Sequence, residues 1–341
     1  GDERVRGLAI GPADQMYQVG STSSSPVSVQ SGTTSVSWAG AGISGAGFLS
    51  LTDSSGAEDL LVITNAVAED VAVASNGDVY VVGEIYGASD IEPGGGFAYT
   101  PPNTSNAFIW KLDANMKTIW VKTLPTATAE ANASRIEIDG NDNLYIAGEF
   151  SGSINLDVTN VNGGLLPDIT TTNSEDGYIM KLDSAGNYQW GHHVTVDGNI
   201  FFQGSDISSA TGRVGFTGFH TGNLLSFVVG GADDISNFTN ANRKTYTVIL
   251  DTAGNWIASN NMSITNTNSQ PVNSGIAFDD NDGSYAVAGY NNLNGLQIDD
   301  TNLFLSNAGG FVVKYDANGN GVWLRETGSG RALDVDFDDE G

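Results

Sequence analysis

The chain has 341 residues, 40% of them hydrophobic, so a folded core is expected, and its 44 glycines predict frequent turns. Forty acidic residues against 13 basic ones give a net charge of −27, which argues against nucleic acids and anionic membrane surfaces as partners. The absence of cysteine excludes disulfides and thiolate metal sites. No apolar run reaches about 18 residues, so no membrane insertion is predicted.

Five similar units follow one another along the chain. A short apolar segment ends in glycine at Gly20, Gly83, Gly148, Gly218 and Gly289, and these positions differ by 63, 65, 70 and 71 residues. A later turn begins with aspartate at Asp53, Asp113, Asp183, Asp251 and Asp316, and these positions differ by 60, 70, 68 and 65 residues. Two independent anchors that keep the same period predict a repeat fold.

Each unit contains about four predicted strands, which in the third unit span 134–139, 144–150, 177–183 and 187–194. The middle two strands are apolar on both faces, so each small sheet is expected to lie between neighbouring sheets. Four-stranded antiparallel sheets stacked in this way form the blades of a β-propeller. The predicted fold is therefore an all-β propeller.

The predicted propeller fills residues 1–341 as a single incomplete domain. Its blades are placed at about 4–66, 68–124, 132–196, 202–264 and 271–327, and the first strand of a further blade at 330–341. Because the last segment repeats the first strand of a unit, we expect the chain to be part of a longer polypeptide. The complete ring is expected to hold about six to eight blades, with a ring of five as the alternative.

The repeat resembles a known family. The segments DGNDNLYIAGEF (139–150), DGYIMKLDSAGNYQW (176–190) and KYDANGNGVW (314–323) are similar to the SBBP-type bacterial β-propeller repeat. The resemblance covers nearly all of 4–341, although the first unit lacks the lysine and tryptophan and the fourth lacks the lysine. It implies a propeller in a large secreted or cell-surface protein, of the kind found in gliding bacteria that use type IX secretion. It implies no catalytic residues.

Calcium is the only cofactor that the sequence suggests. Asp316, Asn318 and Asn320 carry oxygens at alternate positions, as in the first half of an EF-hand loop, although Thr327 stands where the final acid is needed. A hairpin turn explains the same residues. Asp279, Asp280 and Asp282 are a second candidate, and the acidic segment Asp334, Asp336, Asp338, Asp339 and Glu340 is a third.

Aromatic residues suggest a binding surface in the long links between second and third strands. These links span about 21–45, 88–105, 152–175, 221–243 and 291–308, and they are predicted to be irregular. Trp38, Tyr86, Phe97 and Tyr99 are candidates for an aromatic platform that binds a glycan or a protein, with local packing as the alternative. By contrast, Trp120, Trp190 and Trp323 recur at one position, which predicts packing between units.

The histidines do not predict a metal site. His192 and His193 are adjacent on a strand, so their side chains point to opposite faces, and at least one is expected to be solvated. His220 is the third histidine. No nucleophile elbow, phosphate loop or zinc-protease motif occurs in the sequence.

These observations favour a non-enzymatic extracellular scaffold or adhesion module within a larger surface protein or assembled appendage. Its expected partners are other copies or other domains of that assembly, with glycans as further candidates. Two alternatives remain open. One is a secreted carbohydrate-active hydrolase or lyase that uses paired carboxylates. The other is a calcium-stiffened propeller that binds a ligand.

Overall fold

The computed structural model describes residues 3–23, 27–31, 34–38, 45–91, 98–101, 105–124, 130–158, 166–171, 174–222, 224–227, 234–237, 243–264, 270–292, 296–298, 304–305 and 307–338. Every regular element in these residues is a β-strand, and no helix among them is long and apolar enough to cross a membrane.

The strands in chain order are β1 Glu3–Ile10, β2 Met16–Thr22, β3 Val27–Ser31, β4 Thr34–Trp38, β5 Ala46–Thr52, β6 Glu58–Thr64, β7 Ala66–Val73, β8 Val79–Ile85, β9 Ser89–Asp90, β10 Ala98–Tyr99, β11 Asn106–Leu112, β12 Thr118–Thr123, β13 Glu130–Ala131, β14 Arg135–Ile138, β15 Leu144–Ser151, β16 Ser153–Ile154, β17 Ile169–Thr170, β18 Asp176–Leu182, β19 Tyr188–Val196, β20 Ile200–Ser208, β21 Arg213–His220, β22 Leu224–Phe227, β23 Asp234–Asn237, β24 Lys244–Asp251, β25 Trp256–Ile264, β26 Val272–Phe278, β27 Tyr285–Asn291, β28 Leu296–Ile298, β29 Phe304–Leu305, β30 Gly309–Tyr315 and β31 Gly321–Gly328.

Five main sheets follow one another along the chain. The first sheet is β1-β2-β5-β6, the second β7-β8-β11-β12 and the fifth β26-β27-β30-β31. The third runs β13-β15-β18-β19-β22-β23 with β14 also paired to β15, and the fourth runs β20-β21-β24-β25-β28-β29. The pairings within the first, second, fourth and fifth sheets are antiparallel. The prediction of an all-β chain of repeated four-stranded antiparallel sheets is confirmed.

The chain divides into two compact units. One consists of 1–146, 152–169 and 182–188, and the other of 147–151, 170–181 and 189–341. The core of the first unit includes Val19, Leu49, Val71, Val81 and Trp110. The core of the second includes Ile249, Phe278, Val287, Phe311 and Tyr315. Both cores consist of side chains from the facing surfaces of successive sheets.

The first strands of the sheets share a bulge. Register shifts occur between Val5 and Gly7 in β1 and between Asn273 and Gly275 in β26, and β7 and β20 carry the same irregularity. A Cβ added to Gly275 would lie 2.8 Å from the Cα of Asp334. Because two backbones approach this closely, glycine is required at that position.

The prediction of irregular links is wrong. Each link contains a short hairpin, formed by β3–β4, β9–β10, β16–β17, β22–β23 and β28–β29. In two links the hairpin also extends the preceding sheet, because β22 pairs with β19 and β28 pairs with β25. Eight of these ten strands have two to four residues, which is too short to show a period of two. The five-residue strands β3 and β4, VSVQS and TSVSW, do alternate, and this signal was overlooked.

Candidate functional site

One hydrogen-bond pattern recurs in the turn between the third and fourth strands of every main sheet. In the third sheet, Oδ1 of Asp183 accepts the N–H groups of Ala185 at 3.0 Å and Asn187 at 2.8 Å. The equivalent aspartates are Asp53, Asp113, Asp251 and Asp316. The third residue after each aspartate has a positive φ, as Gly186 does at 79°. These carboxylates hold the turns together.

The first calcium candidate is one of these turns. Oδ1 of Asp316 accepts N–H groups from Asn318 at 2.9 Å and Asn320 at 2.8 Å, and Oδ2 accepts the side-chain amide of Asn320 at 2.8 Å. Hydrogen bonds, the Asn320 side chain first, hold the pKa of Asp316 below its usual range. Asn187 and Asn255 make the same amide bond to Asp183 and Asp251. Both Asp316 oxygens therefore already accept hydrogen bonds from the turn.

The other acidic candidates also have local partners. Asp279 is buried and accepts the N–H of Asn281 at 2.9 Å, whereas Asp282 is exposed and accepts the N–H of Ser284 at 2.7 Å. Asp280 is exposed, as are Asp334, Asp336 and Asp338. Asp339 and Glu340 lie outside the described residues. Within the described residues, no group of three or more acidic or histidine side chains is arranged to hold a metal ion.

The histidines point to opposite faces of β19, as the sequence predicted, and both are half-buried, whereas at least one was expected to be solvated. Nε2 of His192 lies 2.9 Å from the Gly254 carbonyl, and Nε2 of His193 lies 2.8 Å from Oδ2 of the buried Asp176. His220 is also buried, which lowers its pKa to about 4. The strand β22 pairs with β19 at Val194–Val196, beyond both histidines.

Two of the aromatic candidates form hydrogen bonds with the second main sheet. The hydroxyl of Tyr86 donates to the Ala66 carbonyl at 3.2 Å, and the hydroxyl of Tyr99 accepts from the side-chain amide of Asn106 at 2.6 Å. Trp38 is the last residue of β4, opposite Val27. Phe97 lies outside the described residues. Both described phenols therefore have partners of the kind that local packing supplies.

Lysines of one sheet bind the turn of the next sheet. Lys111 donates from Nζ to the carbonyl of Ser184 at 3.1 Å, and Lys181 donates to the carbonyl of Thr252 at 2.8 Å. Each lysine stands two residues before its own turn aspartate, and each acceptor directly follows the turn aspartate of the next sheet. The lysine of the repeat therefore links successive sheets.

Tryptophans seven residues after the turn aspartate contact the same turns. A Cβ on Gly186 would lie 3.1 Å from the ring of Trp120, and one on Gly254 would lie 2.8 Å from the ring of Trp190. Nε1 of Trp190 also donates to the Thr252 carbonyl at 3.3 Å. The predicted packing between units is confirmed for Trp120 and Trp190. Lysine and tryptophan together recognise an Asp-x-x-Gly turn.

The fifth sheet carries the same pair, Lys314 and Trp323, in different surroundings. They line a cavity of about 330 Å³ whose remaining walls are Ala286, Val312, Val335, Asp336, Phe337 and Asp338. Nζ of Lys314 lies 4.8 Å from the centre of the Phe337 ring and 3.9 Å from Oδ2 of Asp279. Here the pair faces a cavity rather than a turn.

Two aspartates in first strands were missed at the level of sequence. Oδ2 of Asp70 accepts the N–H of Ile136 at 3.1 Å, and Oδ2 of Asp206 accepts the N–H of Phe278 at 2.6 Å. Both bonds run to the first strand of the following sheet. Burial outweighs these bonds and raises the pKa of both carboxyls to about 6, and Asp336 adds to the effect at Asp206. Both aspartates follow the bulge of a first strand, within AVAEDVAV in β7 and IFFQGSDIS in β20, and nothing else in these strands marks them at the level of sequence.

Comparisons with known proteins give no family. No family model matches the chain, and no curated protein matches its sequence. It is similar to the crystal structure of an ACO/RPE65 chimera, with a TM-score of 0.44 and 10% identity over 98% of this chain and 65% of that one. A mutant of Synechocystis apocarotenoid oxygenase gives 0.43 and 11% over 98% and 64%.

A eukaryotic initiation factor gives a TM-score of 0.24 and 9% identity over 96% of this chain and 88% of that one. The chain spans less than two thirds of the length of the chimera and of the oxygenase. Structural similarity at this level supports no conclusion about activity.

Proposed function

We propose that the five main sheets are blades of a β-propeller and that the chain is a non-enzymatic scaffold or adhesion module. It works in a larger extracellular or cell-surface assembly through protein contacts. The complete propeller has about six to eight blades. The main observation that supports this function is in the fifth sheet, where Lys314 and Trp323 line a cavity of about 330 Å³.

The chemistry of that surface supports a protein partner. In earlier sheets the same residue types bind a backbone carbonyl and cover a turn glycine, as Lys181 and Trp190 do at Thr252 and Gly254. A surface that presents a lysine donor beside an indole ring therefore suits a β-turn. Aromatic and cationic side chains around a cavity are also typical anchors of protein interfaces.

The electrostatic character of the chain supports an external location. A net charge of −27 keeps an exposed surface soluble and well hydrated. The turn carboxylates described above are engaged in hydrogen bonds within their turns, as Asp183 and Asp316 are. Such groups serve the architecture rather than a reaction.

The proposal is tested on the natural protein from its source. Intact cells are treated with an impermeant protease, and the remaining chain is measured by immunoblot together with the intact denatured mass. A scaffold is expected to be cleaved on intact cells and to belong to an assembly or polypeptide far larger than 35.5 kDa. A free 35.5 kDa chain that is protected until lysis would overturn the proposal.

A carbohydrate-active enzyme is the second candidate, and Asp206 is the observation that favours it. Its pKa is raised to about 6 by burial, with Asp336 and Asp280 as nearby charges, and a raised pKa is the property of a glycosidase general acid. Hydrolysis in a polysaccharide panel that disappears in Asp206→Asn would support the enzyme. A panel without turnover, under conditions where the chain is folded, would exclude this candidate for the polysaccharides tested.

A further inference from the structure

The junction between the fourth and fifth sheets lacks the lysine and the tryptophan of the repeat. Ile249 and Ala258 stand two residues before and seven residues after the turn aspartate of the fourth sheet, which are the lysine and tryptophan positions. The turn of the fifth sheet still lies close, because a Cβ on Gly319 would be 2.8 Å from the Cβ of Ala258. The contacts that Lys181 and Trp190 make one junction earlier are therefore replaced here by others.

Arg213 supplies the donor that the lysine supplies elsewhere. Its Nη1 donates to the carbonyl of Ala317, the residue directly after the turn aspartate of the fifth sheet. Lys181 donates to the equivalent carbonyl of Thr252. The same Nη1 also donates at 3.3 Å to the carbonyl of Gly283, in the turn between β26 and β27. One guanidinium of the fourth sheet therefore binds two turns of the fifth.

Asn260 binds the glycine of the turn that Arg213 contacts. It stands nine residues after the turn aspartate of its sheet, and its Nδ2 donates to the carbonyl of Gly319 at 2.7 Å. The equivalent residue of the third sheet is His192, whose Nε2 lies 2.9 Å from the carbonyl of the equivalent glycine, Gly254. This position therefore contacts the next turn at both junctions, with a different side chain at each.

Asn260 also binds a hydroxyl that only the fifth sheet has at this place. Oδ1 of Asn260 accepts the hydroxyl of Tyr285, which stands four residues before the strand-ending glycine of its sheet. The corresponding residues of the other four sheets are apolar: Met16, Val79, Leu144 and Val214. Asn260 is 5% exposed and Tyr285 is fully buried. A different sheet in this place would bring an apolar side chain to a buried amide oxygen, which costs free energy.

A second polar pair crosses the same junction. Nδ2 of Asn273 in β26 donates to Oγ1 of Thr217 in β21 at 3.0 Å, and both residues are buried. Thr217 directly precedes a strand-ending glycine, and the other sheets carry Val19, Val82, Ala147 and Ala288 there. Asn273 stands opposite such a glycine, and the residues in that register in β1, β7 and β20 are Val5, Ala68 and Phe202. Both members of the pair are thus polar where equivalent residues are apolar.

We propose that Arg213, Asn260 and Thr217 are the residues by which the fourth sheet selects the fifth sheet as its neighbour. The lysine and tryptophan of earlier junctions contact a backbone carbonyl and a glycine, which Asp-x-x-Gly turns share. The pairs Asn260–Tyr285 and Thr217–Asn273 depend on side chains that are particular to these two sheets. In a chain of similar sheets, such contacts fix the order in which the sheets pack. This selection acts within the chain, whatever the chain binds outside.

A double-mutant cycle on the full chain tests the first pair. Asn260→Leu and Tyr285→Phe each remove one partner of a buried hydrogen bond. Each is expected to raise amide hydrogen exchange of the fifth sheet about tenfold, measured by mass spectrometry. Because the same bond is lost in both variants, the double variant is expected to exchange about tenfold faster than wild type, and not about a hundredfold. Exchange of the second sheet in the same chain is the internal reference.

The second pair is tested by installing the residues that the first sheet has at these positions, Val19 and Val5. Thr217→Val alone is expected to raise exchange of the fifth sheet about tenfold, because Asn273 loses a buried acceptor. Adding Asn273→Val makes both sides apolar and is expected to bring exchange back to within about threefold of wild type. Recovery in the double variant is the mark of a matched pair.

Arg213 is tested by restoring the lysine of the repeat. Arg213→Ala is expected to raise exchange of the fifth sheet about 30-fold, because two carbonyls lose a charged donor. Adding Ile249→Lys places a lysine where Lys181 stands one junction earlier and is expected to recover about tenfold. Near-UV circular dichroism identifies a chain that the buried lysine unfolds. Arg213→Lys then replaces it, and it is expected to exchange more slowly than Arg213→Ala.

The matched control is Lys181→Ala, which removes the equivalent donor one junction earlier. It is expected to raise exchange of the fourth-sheet turn and to leave the fifth sheet unchanged. The proposal is overturned if the effects of the two substitutions add within both pairs, so that neither double variant recovers. It is also overturned if Lys181→Ala affects the fifth sheet as much as Arg213→Ala does, or if no lysine slows exchange relative to Arg213→Ala.

Discussion

Two sets of aspartates at different positions of the repeated sheets behave in opposite ways. Asp53 and Asp316 lie in exposed turns, and hydrogen bonds from Ser55 and Asn320, respectively the largest effects, hold their pKa values below the usual range. Asp70 and Asp206 lie in first strands, and burial raises their pKa values to about 6. Both sets accept backbone N–H groups. The turn aspartates accept more hydrogen bonds, whereas desolvation by burial is the largest effect at the strand aspartates, so the two sets differ in both respects.

This difference separates two structural uses of one residue type. A turn aspartate closes a hairpin by accepting the N–H groups of residues two and four positions later, so its effect is local. A first-strand aspartate accepts an N–H from the next sheet, as Asp70 does from Ile136, so it joins elements that are far apart in sequence. Hydrogen bonds within the turn stabilise the charged form of the turn aspartate. The first-strand aspartate makes its hydrogen bond to the next sheet at the cost of desolvating its carboxylate.

The largest effect is expected at Asp139, a turn aspartate that is also buried. Its carboxylate accepts N–H groups from Asn141 and Asn143 at 2.9 Å and the hydroxyl of Tyr145 at 3.0 Å. Asp139→Ala leaves these donors without an acceptor, so the free energy of unfolding is expected to fall by about 3 kcal/mol. Urea unfolding of wild type and variant at pH 7 measures it.

The control for this prediction is Asp53→Ala. Asp53 makes the same turn bonds, to Ser55 at 2.8 Å and Ala57 at 2.9 Å, but its donors can turn to water because the turn is exposed. Its loss is expected to be clearly smaller than that of Asp139→Ala. Equal losses would show that burial does not set the strength of these turns.

The second prediction concerns pH. Because the folded pKa values of Asp70 and Asp206 are raised to about 6, their contribution to stability is complete below the unfolded value near 3.8 and is lost as pH rises through 6. Asp70→Asn and Asp206→Asn remove the charge and should each gain about 1 kcal/mol over wild type at pH 7.5, with no gain at pH 4. Thermal unfolding across this range measures the difference.

The turn aspartates serve as the control because their effect on folding stability has the opposite dependence on pH. Their lowered pKa values mean that their stabilisation is present above about 3.8 and is lost as pH falls through the folded values. Asp316→Asn is therefore expected to match wild type in its pH dependence between 5 and 8. A gain at high pH in this variant would contradict the distinction between the two sets.

The sequence predicts local features of this fold well and long-range ones poorly. The predicted strand 144–150 is observed as Leu144–Ser151, and 177–183 as Asp176–Leu182, since alternation and turn chemistry are local signals. The His193–Asp176 contact joins the strands β19 and β18. Such contacts depend on the register between distant strands, and this register cannot be read from a single sequence.

The same limit applies to the candidate site. The recurrence of Trp120, Trp190 and Trp323 predicted packing between units, because a repeated residue implies a repeated contact. It did not predict that Lys314 and Trp323 would line a cavity, since that depends on how the segment 331–338 lies on the fifth sheet. Asp70 was missed because its burial depends on the first strands of its own and the next sheet.

The smallest effect is expected from calcium. Both oxygens of Asp316 accept hydrogen bonds from its own turn, so an ion would have to displace three donors from Asn318 and Asn320. The melting temperature in millimolar CaCl₂ is therefore expected to equal that in chelator at matched ionic strength, with MgCl₂ as the control for charge screening. A rise specific to calcium would show that a turn carboxylate exchanges its N–H donors for an ion. Loss of that rise in Asp316→Asn, with Asp251→Asn unaffected, would place the ion in the fifth sheet.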